Sequence, residues 1–285
     1  MTDNLKIDLH THSTASDGTL TPSELVKMAK DEGLCALALT DHDTVDGIGE
    51  FQKACAEYGI EGVSGVEISA KYKKEMHIVG LFVDVNDTEF KSKLDALRDG
   101  RETRNREMLR RIAENGFDIT EADIISQKDG ATLSNTGRAH IARAMVQKGF
   151  AKSTGDAFAK FLKKGKPCYV ERITYSPEES IQIIKKAGGI AILAHPVYIT
   201  ESYDKLYTLM SRLKEYGIDG MECYYNSYSE EFSLMCMDIC KKLDLLPSGG
   251  SDFHGNNKPD VRLGTVSTGI VPYNVLTDIK EKRGL

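Results

Sequence analysis

Most histidines of this 285-residue chain lie in short segments that each resemble the end of a β-strand. Five of the seven occur in Asp8–His12, Thr40–Asp43, Ala194–Pro196 and Gly250–His254, and His77 opens a further apolar run. Carboxylates stand beside several of these histidines, and few thiols are near them. Imidazole and carboxylate groups together are typical ligands of divalent ions such as Zn, Mn or Fe. The pattern therefore predicts a metal site.

The spacing inside these segments predicts that the side chains face one way. Residues two apart in an extended strand share a face, as do His10 and His12, and Asp252 and His254. Because zinc usually has four ligands, the number of candidates favours two or three divalent ions per chain. A structural zinc site is usually closed and rich in Cys, so this set fits hydroxide generation and oxyanion binding better. The candidate ligands are His10, His12, Asp17, His42, Glu67, His77, His195, Asp252 and His254.

Some of these candidates also have a simpler explanation. Asp17-Gly18 could form an ordinary turn. His77 fits less well than the others because it begins a predicted strand, whereas the others follow one. Glu67 lies within an apolar stretch, where a charged residue needs a partner and a metal ion would supply one.

Other acidic residues next to the histidines are expected to support them. Asp41 and Asp43 flank His42, and one could orient an imidazole while the other caps the following helix. Asp8 shares a strand face with His10 and is also expected to support an imidazole.

Apolar runs alternate with stretches of helical periodicity, which predicts an α/β fold. Such alternation favours a parallel sheet with crossover helices, open or closed as a barrel, whose reactive groups gather beyond the carboxyl ends of the strands. The predicted helices are Pro22–Glu32, Gly47–Tyr58, Pro177–Ala187, Tyr203–Tyr216 and Glu230–Leu243, and the first and third start with a hydroxyl cap, a proline and a glutamate. The predicted strands are Lys6–Leu9, Ala36–Thr40, Gly62–Val66, His77–Val83, Ile190–Ala194, Gly220–Tyr224 and Leu245–Ser248.

The segment 98–172 breaks this alternation and reads as an inserted helical lobe between the barrel segments 1–97 and 173–285. It holds 16 Lys and Arg against 10 Asp and Glu, whereas the rest of the chain holds 21 against 33. The lobe is thus basic, which suits an anionic substrate, although solvated helix faces would explain many of the charges. Arg138, His140 and Arg143 are the candidate substrate-binding residues, with an ordinary helix start as the alternative, above all for Arg143. The arginines expected on a helix surface are Arg101, Arg104, Arg106, Arg110 and Arg111.

The overall composition excludes several classes of protein. A net charge of −6 argues against general binding of duplex DNA. No apolar stretch approaches the roughly 20 residues that cross a bilayer, and the first residues do not resemble a signal peptide. The six cysteines show no C-x-x-C spacing and lie mostly in apolar runs, which indicates reduced thiols and a cytoplasmic location.

These motifs together resemble the PHP (polymerase and histidinol phosphatase) superfamily. The match extends over essentially the whole chain, and Gly137–Arg143 resembles the subgroup of 3′,5′-nucleoside bisphosphate phosphatases and short-RNA 5′-exonucleases, with Ala139 where many members have proline. The resemblance implies a distorted (β/α)7 barrel with a small inserted helical domain and a trinuclear metal centre. It also implies three ligand sets: His10, His12, Glu67 and Asp252; Glu67, His77 and His195; and Asp17, His42 and His254.

The expected reaction is hydrolysis of a phosphate ester by a metal-bridged hydroxide. His195 or Asp252 would protonate the departing alkoxide, and Arg138 with His140 would hold a second phosphate. The expected substrate is a nucleoside 3′,5′-bisphosphate or a short 5′-phosphorylated oligoribonucleotide, and Mn, Fe or Zn is the expected metal. The alternatives are a cyclic phosphodiesterase, a histidinol-phosphate hydrolase and a non-catalytic PHP module.

Overall fold

The computed structural model describes residues 5–127 and 132–285, and within these ranges eight strands form one sheet. The order across the sheet is β7-β6-β5-β4-β3-β2-β1-β8, so from β1 to β7 strands that follow each other in the chain are neighbours in space. The bounds are β1 Lys6–Asp8, β2 Leu34–Leu39, β3 Glu61–Ala70, β4 Met76–Leu81, β5 Ile190–Leu193, β6 Gly220–Tyr224, β7 Leu246–Gly249 and β8 Val271–Pro272.

The two ends of this sheet approach each other, which makes it a distorted barrel. Leu9 donates its backbone N–H to the carbonyl of Gly249 at 3.3 Å, and Asp252 donates to the carbonyl of His10 at 2.9 Å. An isolated parallel bridge joins Thr11 to Phe253. The residues that follow β1 and β7 are therefore neighbours, and the predicted barrel is confirmed. The short strand β8, antiparallel to β1, was not predicted.

Besides β8, a strand in the middle of the sheet contradicts the prediction of a parallel sheet. β4 pairs antiparallel with both β3 and β5. Only residues 71–75 join β3 to β4, and a parallel connection needs a crossover of a dozen or more residues. The reversal places the amino end of β4 beside the carboxyl end of β3. His77 consequently lies at the same edge as the other candidate ligands although it begins a strand.

Helices cover the outside of the barrel, and their ends follow the local sequence. α1 Pro22–Asp31 and α7 Pro177–Lys186 both begin with the predicted capping boxes, formed by Thr21 with Glu24 and Ser176 with Glu179. Ile7, Ala38, Val63, Val79 and Ile192 belong to the apolar core inside the barrel. The other helices that belong to the barrel part of the chain are α2 Ile48–Tyr58, α8 Tyr203–Glu215, α9 Glu230–Leu243 and α10 Tyr273–Arg283.

A second compact unit, Leu94–Thr174, has a hydrophobic core of its own, and the barrel unit comprises the residues up to Lys93 and Tyr175–Leu285. The helical unit contains most of α3 Thr88–Glu114, together with α4 Glu121–Ile125, α5 Arg138–Gln147, α6 Thr154–Ala157 and one π-helical turn, Phe158–Leu162. Met108, Ile112, Ile141, Met145 and Leu162 are among its core residues. The predicted role of 98–172 as a substrate-binding lobe stays a prediction.

In the part of the chain that the structure describes, no helix has the length and apolar character needed to cross a membrane.

Candidate metal centre

The barrel unit brings all nine predicted ligands to one edge of the sheet. β1 and β7 run directly into the segments with His10 and His12 and with Asp252 and His254. Glu67 lies within β3, and the other ligands come from β4 and from the segments after β1, β2 and β5. The antiparallel β4 supplies His77 from its amino end, which explains why His77 alone begins a strand.

Glu67 is the centre of this arrangement, and imidazole nitrogens surround its carboxylate. Its Oε1 lies 2.9 Å from His77 Nδ1 and 2.9 Å from His195 Nε2. Its Oε2 lies 2.9 Å from His42 Nδ1 and 3.3 Å from both His10 Nε2 and His12 Nε2. The Glu67 side chain is fully buried. Such a carboxylate can serve two ions at once, one on each oxygen.

A second group of candidate ligands surrounds Asp17. Asp17 Oδ1 lies 3.2 Å from His254 Nε2, and Asp17 Oδ2 lies 3.8 Å from His42 Nε2. The rings of His12 and His254 stack with their centroids 4.0 Å apart. Four residues, His12, Asp17, His42 and His254, offer ligand atoms within 4.8 Å of one another in the described chain. Asp17 is therefore more than part of a turn.

Several buried atoms of the cluster lack a hydrogen-bond partner among the described residues, and this tests whether metal ions fit. The atoms are His12 Nδ1, His42 Nδ1, Glu67 Oε2 and His195 Nδ1. A buried polar atom left unsatisfied costs about 1–3 kcal/mol. His42 Nδ1 and Glu67 Oε2 are 2.9 Å apart without forming a hydrogen bond, as expected for two lone pairs directed at a shared cation. The cluster can hold metal ions.

Glu222 orients two of the histidines, and the sequence analysis missed it. Its Oε1 accepts from His10 Nδ1 at 2.7 Å, and its Oε2 accepts from the backbone N–H of His195 at 2.6 Å. The first contact fixes the His10 ring with Nε2 towards Glu67, as carboxylates next to metal-bound imidazoles commonly do. A glutamate in the middle of the apolar strand β6 was the available signal, and the same reasoning had identified Glu67.

The acidic neighbours of the ligands accept hydrogen bonds from the backbone around the site. Asp8, expected to support the ligands, accepts from the backbone N–H of His10 at 3.2 Å and from the hydroxyl and backbone N–H of Ser251 at 2.5 and 2.9 Å. Asp41 accepts from the Ser13 hydroxyl at 2.6 Å and the Ser16 hydroxyl at 2.5 Å, which fixes the segment before Asp17.

The prediction that Asp41 or Asp43 caps the following helix is wrong, since the N-cap of α2 has no side-chain cap hydrogen bond. Asp43 accepts from the backbone N–H of Ser69 at 3.1 Å, and Gly47 occupies the N-cap of α2.

One glycine of the site is required by space, because a Cβ on Gly18 would lie 2.3 Å from the carbonyl oxygen of His12. The turn that presents Asp17 therefore needs glycine at this position.

Asp252 is held by two further residues that the sequence analysis missed. Its Oδ2 accepts from the Tyr225 hydroxyl at 2.6 Å and from Lys258 Nζ. Its Oδ1 lies 3.3 Å from His12 Nε2. Asp252 and His195 both have a positive φ, 55° and 30°, and such backbone strain is often found at functional sites.

The electrostatics of the cluster couple carboxylates to imidazoles. Burial alone would raise the pKa of Glu67, but His77, His42 and His10 outweigh it and hold that pKa well below its usual range. Burial likewise opposes the proton on His77, yet Glu67 raises the pKa of His77 to about 9. Without bound metal, the Glu67 carboxylate is thus paired with a protonated His77, and a divalent ion would take the place of that proton.

The three predicted substrate-binding residues lie in the helical unit, on α5. The Arg138 guanidinium lies over the rings of Phe158 and Tyr169, 5.9 Å from each centroid. His140 is buried and accepts from the backbone N–H of Gly137 at 3.2 Å, and Arg143 Nε donates to Gln127 Oε1 at 3.0 Å. Their role in substrate binding stays a prediction.

Comparison with known proteins assigns the family. A family model described as the PHP domain matches residues 8–246. The chain belongs to the PHP family.

Several PHP relatives are similar over most of their length. A 5′-3′ exoribonuclease of Haemophilus influenzae is 39% identical over 87% of this chain and 90% of the relative. A 3′,5′-nucleoside bisphosphate phosphatase of Chromobacterium violaceum is 36% identical over 87% of each chain. The crystal structure of a Bifidobacterium adolescentis protein, assigned as a metal-dependent phosphoesterase, has a TM-score of 0.83 at 29% identity and covers 100% of this chain and 98% of its own.

Proposed function

We propose that this PHP protein hydrolyses a phosphate ester of a nucleotide, either a nucleoside 3′,5′-bisphosphate or a short 5′-phosphorylated oligoribonucleotide. Membership of the PHP family and its phosphoesterase relatives make the chain a hydrolase of phosphate esters, and the proposal concerns which ester. The names of the Haemophilus and Chromobacterium relatives support a nucleotide or RNA substrate. The observation that carries the proposal is the convergence of nine ligand side chains around buried atoms that have no hydrogen-bond partner among the described residues.

Two or three divalent ions, Mn, Fe or Zn, fit the ligand set. Glu67 would bridge two of them, because each of its oxygens faces a different group of imidazoles. Asp17, His42 and His254 would hold a third. Bound there, the ions would supply Lewis-acid charge and a nucleophile at neutral pH. Glu222 keeps His10 in one tautomer, and Tyr225 with Lys258 keeps Asp252 in place.

Two side chains are candidates to donate the proton to the leaving group, His195 and Asp252. Both lie in the cluster, His195 against Glu67 and Asp252 against His12. A proton donor speeds the departure of a strongly basic leaving group such as an alkoxide. It has hardly any effect on a leaving group that is already a weak base, such as p-nitrophenolate. The variant of the true donor, His195→Asn or Asp252→Asn, should therefore lose far more activity on a nucleotide than on p-nitrophenyl phosphate at equal metal content. Equal losses on both substrates would remove that residue from the role.

Arg138 is proposed to bind a phosphate of the substrate, with His140 and Arg143 as its neighbours on α5. Packing against two aromatic rings holds the Arg138 guanidinium in place and so fixes the direction of its N–H groups. His140 fixes the start of α5 through the backbone of Gly137, which makes it a positioning residue for Arg138.

Steady-state kinetics on the metal-loaded protein test the substrate. The panel should include nucleoside monophosphates, 3′,5′-bisphosphates, cyclic phosphates, histidinol phosphate and short 5′-phosphorylated RNA. The proposal expects kcat/KM to be highest for a bisphosphate or the RNA. A clear preference for histidinol phosphate or a cyclic diester would overturn it, while leaving the phosphoesterase assignment in place.

A further inference from the structure

A groove of the barrel unit begins close to the metal centre. It has a volume of about 850 Å³, and its walls include the connection between β3 and β4 and parts of the segment 199–216, which contains α8. The first wall ends three residues before His77, and the second begins four residues after His195. Because a chain spans at most about 3.6 Å per residue, both walls start within about 14 Å of a candidate metal ligand.

The charge of this groove is opposite to that of the chain as a whole. The net charge of the chain is −6, yet five cationic side chains line the groove against two carboxylates, Glu178 and Asp204. Other lysines of the barrel unit pair with acids, as Lys185 does with Asp219 at 2.8 Å. Within residues 5–127 and 132–285, no ion pair involves the five cations of the groove, Lys71, Lys73, Lys74, Lys205 and Arg212. Their positive charge is therefore available to an anionic ligand.

Two exposed tyrosine rings accompany these cations. Tyr72 lines the groove and is 41% exposed, and Tyr198, between His195 and the groove in the chain, is 48% exposed. The ring centroids of Tyr198 and His195 lie 5.1 Å apart. Proteins that bind single-stranded nucleic acid combine a basic groove with aromatic rings on which bases stack. An acidic peptide would suit the charge of the groove but would leave the two rings without a role.

Two contacts shape the groove without neutralising its cations. Lys74 Nζ donates to the carbonyl of Ile199 at 2.7 Å, which joins the segments that carry His77 and His195. Arg212 Nε donates to the Tyr216 hydroxyl at 2.8 Å, and its guanidinium lies 5.7 Å from the centroid of that ring. Both partners are uncharged, so each contact fixes a cation and leaves its charge in place.

We propose that this groove binds single-stranded RNA whose 5′-terminal nucleotide lies at the metal centre. Tyr198 would stack on a base near the metal ions and Tyr72 on a later base, while the cations would contact the phosphates between them. The proposal rests on the proposed function and deepens it. A nucleoside 3′,5′-bisphosphate has a single base and no continuing strand, so a groove of this kind favours the oligoribonucleotide as the natural substrate.

A charge reversal on α8 tests the contact with phosphates. Metal-loaded protein is assayed on a nucleoside 3′,5′-bisphosphate and on a 5′-phosphorylated RNA of about seven nucleotides, within the range of known single-strand sites. Lys205→Glu should lower kcat/KM for the RNA by roughly tenfold, as expected for a lost charge-assisted hydrogen bond, and far more than for the bisphosphate. Lys214→Glu is the matched control, because Lys214 lies two and a half turns further along α8, on its opposite face. It should change neither value.

An aromatic substitution tests the stacking. Tyr72→Ala should lower kcat/KM for the same RNA by roughly tenfold, since stacking of one base on one ring contributes about 1–3 kcal/mol. Tyr72→Phe keeps the ring and should retain the wild-type value. If Tyr72→Phe and Tyr72→Ala were equally impaired, the ring would not stack on a base and the proposal would be wrong.

The salt dependence of binding counts the phosphate contacts. The probe is an RNA of the same length whose first linkage is an uncharged methylphosphonate, which metal-loaded protein should bind without cleavage. The slope of log K against log salt should be less steep by about 0.7 in Lys205→Met, and Lys214→Met should keep the wild-type slope. An oligoglutamate peptide that displaces the probe as well as unlabelled RNA does would overturn the choice of RNA.

The outcomes separate the groove from the proposed function. RNA binding that depends on Lys205 and Tyr72, without hydrolysis of any nucleotide, would reject the proposed substrate and keep the groove as an RNA-binding site. Hydrolysis of both substrates, with Lys205→Glu and Tyr72→Ala behaving as Lys214→Glu does, would reject the groove and keep the proposed function.

Discussion

The barrel edge and the helical unit each bury charged side chains that the described chain does not fully satisfy, and the two sets are opposite in kind. At the barrel edge the unsatisfied atoms include Glu67 Oε2 and imidazole nitrogens, which can donate electron pairs to a cation. In the helical unit the unsatisfied atoms include Nε of Arg104, which can donate only a proton. The first set calls for metal ions, whereas Nε of Arg104 calls for a hydrogen-bond acceptor.

The two regions also differ in how the chain supports them. The ligands of the barrel edge are held by short hydrogen bonds to buried acids, such as the one that His10 donates to Glu222 at 2.7 Å. Arg138 of the helical unit is held by packing against two aromatic rings. The barrel edge is thus a preorganised site. The following predictions separate the two regions.

The largest effect is expected from Glu67→Gln. The amide keeps the shape of the side chain but removes the charge that five surrounding imidazoles share. Loss of a residue that only orients a metal ligand typically lowers metal affinity or activity by about 10–100-fold. Loss of the central ligand should therefore lower kcat/KM by roughly 10³-fold or more, and the metal content should fall with it. Activity assays and elemental analysis of the same preparation measure both. Glu61→Gln is the control on the same strand, because Glu61 pairs with Tyr273 and Lys280, and its near-normal metal content would confirm that the loss is local.

A smaller effect is expected from Glu222→Gln, which acts through His10 and not by binding metal. The glutamine side chain can still contact His10, but it no longer favours a His10 ring that carries a proton on Nδ1. Metal affinity should fall by about 10–100-fold, with folding retained. Competition with a chelator measures the affinity, and the exposed Glu215→Gln is the control. An unchanged affinity would mean that Glu222 has no part in orienting the ligands.

Ligand-dependent stability should distinguish the two regions in a crossed experiment. A ligand that binds only the folded protein adds about 2.7 kcal/mol of stability at a hundred times its Kd. Mn²⁺ should raise the Tm of the wild type and of Arg138→Met but not of Glu67→Gln. Phosphate, added to metal-free protein, should raise the Tm of the wild type and of Glu67→Gln but not of Arg138→Met. If either variant lost both responses, the metal centre and Arg138 would not be independent sites.

The smallest effect is a pH dependence of metal binding. The pKa of His77 is raised to about 9 in the metal-free protein, because Glu67 outweighs the opposing effect of burial. Below this pH a metal ion must displace the proton, so affinity should rise with pH up to about 9 and fall by up to about tenfold per unit below it. Calorimetry in buffers of different ionisation enthalpy counts the protons released. Binding at pH 7 without proton release would show that the imidazoles are neutral before the metal arrives.

Much of the barrel edge could be predicted from the sequence, because the information is local. Every ligand except Asp17 adjoins or lies within an apolar run, or follows one closely, and the carboxyl ends of neighbouring parallel strands meet at one edge. His77 shows the limit of that reasoning. Only the antiparallel pairing of β4, imposed by a short connection, places the start of this strand at the same edge.

The residues that were missed depend on contacts distant along the chain. Glu222 meets His10 across 212 positions, and Tyr225 and Lys258 meet Asp252 through loops whose course the periodicity does not encode. Arg104 had a local signal, since its spacing from Leu97, Met108 and Ile112 places it on the buried face of α3. The charge of Arg104 suggested a surface position, whereas the helical periodicity of α3 indicates the buried position that the structure shows.

The most direct test of the metal centre is anomalous diffraction from a crystal of the protein grown with Mn²⁺. The account predicts two or three peaks, with Glu67 Oε1 and Oε2 and the nearby imidazole nitrogens about 2.0–2.2 Å from them, as in other oxygen- and nitrogen-ligated metal sites. Density without peaks at this edge, with the imidazoles turned away from Glu67, would contradict it.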